Sequence, residues 1–119
     1  MTTPGGLLDY ADAVLDGDIA LGHRAARTAA LLARLALEAW INEQTASWPK
    51  ISGLYPTMTS KLVVLTTNQV AGEGDRARRL WCSLSRALHY YAYELQPSPV
   101  EVRFLVAQVR ALSLTESTP

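Results

Sequence analysis

Apolar residues recur three and four positions apart along most of this chain, and glycine and proline cut the recurrence into five segments. The breaks fall at Gly17, between Trp48 and Pro56, at Gly72 to Gly74, and at Pro97 to Pro99. In the first segment, about Leu7 to Leu15, Leu7, Ala11, Val14 and Leu15 share a face while Asp9, Asp12 and Asp16 turn to water. Acidic residues near its start suit the positive end of a helix dipole. The second segment, about Asp18 to Thr45, takes Asp18 as its N-cap. Leu21, Ala25, Ala29, Leu32, Ala36 and Ala39 form its expected core stripe. Arg27, Arg34 and Glu38 make the polar side, with Leu31 among them, while Leu35, Leu37, Trp40 and Ile41 widen the apolar surface. A helix apolar on most sides must be covered on most sides. In a chain this short, a second copy of the protein is one expected cover.

The third segment, about Thr59 to Val70, holds the Val- and Thr-rich run from Lys61 to Thr67, which favours a strand. Such a strand would find no partner in the sequence, and Met58, Leu62, Leu65 and Gln69 keep helical spacing, so a helix is expected. The fourth segment, about Asp75 to Gln96, has the clearest pattern: Ala77, Trp81, Leu84, Leu88, Tyr91 and Leu95 alternate spacings of four and three. The fifth runs from about Pro99 to Leu112. Ser98 supplies an N-cap, Pro99 the first helical position and Glu101 the closing residue of a capping box, and Val102, Leu105, Val109 and Leu112 form the seam. Short connections between amphipathic helices predict an all-α, four- to five-helix antiparallel bundle. Residues 7–112 are expected to form the single domain, with disordered tails at 1–6 and 113–119.

Composition narrows the function classes. In 119 residues, 49% are apolar, enough for a core, and the formal net charge is zero, which argues against coating nucleic acid or an anionic membrane by bulk charge. The longest apolar run, Ala29 to Ile41, is cut by Arg34 and Glu38, so no bilayer span is expected. Met1 to Gly6 has neither a basic stretch nor an apolar core of the secretory kind. Cys82 is the only cysteine, so no intrachain disulfide can form. Cytoplasmic residence is the expectation by elimination.

Rotating the fourth segment by about 100° per residue gathers Arg79, Cys82, Arg86, His89, Tyr90 and Tyr93 opposite the seam. Arg86 stands three, four and seven positions from His89, Tyr90 and Tyr93, the spacings of neighbours on a helix surface. Histidine exchanges protons near neutral pH, arginine clamps phosphate, and tyrosine stacks on bases. Arg86 and His89 are therefore the catalytic candidates, for metal-free RNA cleavage by acid–base chemistry. Arg79, Arg86, His89, Tyr90 and Tyr93 are the binding candidates, for RNA or a nucleotide. The bland reading is a solvated or subunit-facing stripe, since tyrosine and arginine are also enriched at protein interfaces. Cys82, as a lone helical cysteine, is expected to be a small buried hydrophobe, and His23 and Arg24 to lie at the surface or in a cap.

Other chemistry finds less support. Two histidines and one cysteine give no zinc pattern, Glu-x-x-His does not occur, and Gly72-Glu73-Gly74 is a turn rather than a phosphate loop, so no metal and no cofactor are expected. Arg76, Arg78, Arg79 and Arg86 make the fourth segment basic, but its apolar seam and aromatics read as bundle core rather than as a DNA recognition helix. Trp48 and Tyr55 flank the proline-bearing loop, where they could lid a pocket.

The stretches "WCSLSRALHYYAYELQPSPVEV" (Trp81 to Val102) and "LARLALEAWI" (Leu32 to Ile41) resemble a family of small, uncharacterised helical bacterial proteins and, more loosely, the HEPN superfamily. The resemblance runs from the second segment onward. It implies a four- to five-helix bundle that commonly dimerises, acting either as a metal-independent ribonuclease or as a non-catalytic partner. Nuclease members carry arginine and histidine separated by four to six residues near the end of a late helix. Here two residues separate Arg86 from His89, nine separate Arg79 from His89, and Ala87 follows Arg86 where a polar residue is usual. The expectation is thus a non-catalytic interaction module working as a homodimer or with a protein partner, and the alternative a divergent ribonuclease or nucleotide binder.

Overall fold

A computed structural model describes residues 3–45, 58, 61–62, 72–90 and 97–115. Its regular structure there is helical: α1 (Pro4–Asp16), a 3₁₀ turn (Gly22–Arg24), α2 (Ala25–Thr45), α3 (Glu73–Tyr90) and α4 (Pro99–Thr115). The all-α bundle is as the apolar spacing predicts. Of the expected third segment, only Lys61 and Leu62 are described, both helical. Leu62 is buried, and Lys61 Nζ donates to Asn42 Oδ1 at 2.8 Å. Trp48, Tyr55, Tyr91 and Leu95 lie outside the described residues.

The ends of α1 depart from expectation. The helix opens at Pro4 rather than Leu7, because Thr3 caps it: Gly6 N donates to Thr3 Oγ1 at 3.1 Å, and Pro4 occupies the first turn, where its missing N–H costs nothing. Residues 4–6 are therefore helix, not tail, and no acidic residue falls in the first turn. The aspartates serve elsewhere, as ion-pair partners of α4. At the other end Gly17 sits at φ 85°, with Gly17 N donating to Val14 O and Asp18 N to Ala13 O, the paired bonds of a Schellman cap. Asp18 thus closes α1 instead of capping α2. A second positive-φ glycine, Gly22 at 59°, delays α2 until Ala25.

The core of α2 is rotated from the expected stripe. Ala26, Ala29, Ala30, Ala33, Ala36, Leu37, Trp40 and Ile41 are buried, whereas Leu21, Ala25, Leu32 and Ala39 are only partly so. The alanines decide it. Facing three other helices of its own chain, α2 presents small residues where the neighbours come close, while Leu31 and Leu35 remain 44% and 40% exposed. Most of its apolar surface is covered without a second copy. On α3, Ala77 and Leu84 are buried as expected and Trp81 and Leu88 are half-buried, joined in the core by Leu80 and Ala87. On α4, Val102, Leu105, Val109 and Leu112 are all buried, with Val106 added. The Ser98 cap holds, Glu101 N reaching Ser98 Oγ at 3.5 Å. The helix runs on to Thr115, past the expected Leu112.

Along α4, Arg103 pairs with Asp16 at 2.9 Å and Arg110 with Asp12 and Asp9 at 2.7 and 3.1 Å. Partner numbers fall as α4 numbers rise, so α1 and α4 are antiparallel. Helices α2 and α4 both pack against α1 and α3 and against each other, whereas α1 and α3 scarcely touch. The two middle helices therefore carry the core, and α1 and α3 form opposite flanks.

Candidate functional site

Leu84 points into the core of α3, and residues half a turn away must point out. Arg79, Cys82, Arg86 and His89 do so and are all exposed, as the helical spacing predicts. The exposure of Cys82 corrects its expected burial: it shares the outward face with Arg79 and Arg86 rather than the seam with Leu84. The Tyr90 side chain and Tyr93 lie outside the described residues, so the structure assembles four of the six residues of the strip.

The head of the strip is a set of ion pairs. Arg79 Nη2 donates to Asp75 Oδ2 at 2.6 Å, and Arg78 stands 3.6 Å from the same carboxylate. Asp75 occupies the first turns of α3, where a negative charge meets the positive end of the helix dipole. Arg79 is thereby directed along its own helix. His89 lies in the last turn. His23 and Arg24 are exposed in the 3₁₀ turn before α2.

A cleft of about 280 Å³ opens elsewhere, between α1 and α4, lined by Asp12, Arg103, Val106, Ala107, Arg110 and Ala111. Both of its arginines are already bound to α1 carboxylates. Among the described residues, no three His, Cys, Asp or Glu side chains gather as a metal site, and no helix is long and apolar enough to cross a membrane.

Sequence reasoning missed the outer face of α4. Val100 and Phe104 are 79% and 62% exposed, and the exposed Ala107 and Ala111 continue their line. The four sit at spacings of four, three and four, opposite the buried Val102, Leu105, Val109 and Leu112. The signal was present in the sequence as a second apolar seam on a helix already supplied with one. Comparison with protein-family models, curated proteins and solved structures gives no match to this chain.

Proposed function

We propose that this chain is a cytoplasmic, non-catalytic interaction module that works as a homodimer or with a protein partner. The observation that carries the reading is α4, apolar on two opposite faces: one fills the core, and the other leaves Val100 and Phe104 in water. Large side chains exposed in a line favour a protein partner, because singly scattered ones are normal and aligned ones mark contact surfaces. The arginine–histidine strip of α3 fits this reading, since its charged groups stand on an outward helix face and Arg79 is held by Asp75. A non-catalytic member of a HEPN-like bundle family would have this character.

Sedimentation of the wild-type chain across a concentration series tests the homodimer. The expected result is a weight-average mass rising from 13.0 kDa toward its double. A compact monomer at high micromolar concentration would overturn it. Incubating wild type and His89→Ala with RNA tests the absence of catalysis. Neither should cleave, and cleavage by wild type that disappears in His89→Ala would refute the non-catalytic assignment.

A further inference from the structure

The chain is neutral overall, but its charges are divided between the two flanks. On the α1 flank, Asp9, Asp12 and Asp16 pair with Arg103 and Arg110, three carboxylates against two guanidiniums. On the α3 flank, Arg76, Arg78, Arg79 and Arg86 outnumber Glu73, Asp75 and Glu101, which stands across α4 from Arg103, by one. These flanks lie on either side of α4, for Arg103 and Arg110 reach α1 from one side while α3 packs against the other. Between them runs the exposed seam of Val100, Phe104, Ala107 and Ala111.

We propose that this seam is the docking surface for a second copy of the chain, with the two α4 helices parallel about a twofold axis running along the pair. The proposal rests on the homodimer reading above and adds to it the surface and the orientation. Charge complementarity selects the orientation. A twofold axis along the helices brings the acidic α1 flank of each copy beside the basic α3 flank of the other. An axis across the helices would make them antiparallel and set acidic beside acidic and basic beside basic. Flanks of opposite sign attract within the screening length, about 8–10 Å near physiological salt. Spacings of four, three and four are those of a coiled-coil seam. About a parallel axis each seam residue meets its own copy, so the two Phe104 rings pair near the axis and the alanines let the helices close toward their C-terminal ends.

Three measurements test this. Phe104→Asp should shift the chain to monomer in sedimentation while leaving its helical circular-dichroism spectrum unchanged, since within one copy the ring is mostly in water. In a Cys82→Ser background, Val100→Cys and Ala111→Cys should each form a disulfide-linked homodimer on mild oxidation. In an antiparallel pair at most one of the two could meet its own copy. Raising salt from about 50 to 500 mM should weaken association severalfold, as expected when opposite charges attract across the interface.

Cross-linking at only one position, at neither, or association unweakened by salt would overturn the parallel geometry. A dimer that survives Phe104→Asp would overturn the seam while leaving the homodimer standing. A wild-type monomer at high micromolar concentration would remove both.

Discussion

Arg110 and Asp12, 98 residues apart in the chain, meet at 2.7 Å, and Asp9 holds the same guanidinium at 3.1 Å. One side chain of the last helix thus ties down two turns of the first. The groups are partly exposed, so their attraction is worth about 0.5–1 kcal/mol and is sensitive to salt. Arg110→Ala should lower the free energy of unfolding by that amount in dilute buffer and by much less in about 1 M salt. Urea titrations at the two ionic strengths measure it. An equal loss in both would assign the effect to packing around the cleft instead.

The guanidinium carbon of Arg34 lies 4.3 Å from the centre of the Trp81 ring, joining α2 to α3. Arg34 also stands 3.8 Å from Glu38, a partly buried pair one helical turn apart. A half-exposed cation–π contact contributes about 0.5–1 kcal/mol. Arg34→Ala should therefore destabilise the wild type, and do so less in a Trp81→Leu background. A double-mutant cycle with no coupling would show that the stacking contributes nothing.

Two glycines, one in the first turn of α1 and one just past its end, should respond with opposite signs. Gly17 holds φ 85° with no atom near the place of a Cβ, so only the backbone resists a side chain there. Gly17→Ala should cost about 1 kcal/mol. Gly5 lies within the helix with equally open space, and Gly5→Ala should stabilise by up to about 0.5 kcal/mol through reduced freedom of the unfolded chain. Thermal melts of both variants decide. Destabilisation at Gly5 would contradict the helix start at Pro4.

Leu84 and Leu31 are both leucines of long helices, one fully buried and one 44% exposed. Leu84→Ala should cost about 2–5 kcal/mol, because it removes transfer energy and opens a cavity. Leu31→Ala should stay within about 0.5 kcal/mol of wild type. Comparable losses would mean that α2 buries the face assigned here to solvent.

The legibility of this fold in its sequence varies with the competition each residue faced. The seam of α4 reads cleanly because Val102, Leu105, Val109 and Leu112 are large, regularly spaced and preceded by a serine cap. The stripe of α2 does not, because alanine is small enough to suit either face, and only the approach of three neighbouring helices decides which alanines are enclosed. Asp18 has the chemistry of an N-cap, but Gly17 in the left-handed region recruits its backbone N–H to finish α1 first.

For the four described residues of the candidate strip, the geometry was readable, since they stand about half a turn from the buried Leu84. Cys82 was misplaced by reasoning from residue type when its position on the helix already gave the answer. The outer seam at Phe104 went unread for a related reason. One apolar stripe suffices to place a helix, and the second became visible only once the first had been assigned to the core.

The inner face of α2 has a consequence for how the chain can vary. Ala26, Ala29, Ala30, Ala33 and Ala36 are enclosed with 5% exposure or less. Where alanine marks the closest approach of neighbouring helices, growth is the forbidden direction: each added methyl group would wedge the bundle apart at about 1–3 kcal/mol. A saturation library should accordingly divide this helix lengthwise. Along one strip only glycine, alanine and serine would survive, and along the strip of Leu31 and Leu35 nearly any side chain would pass.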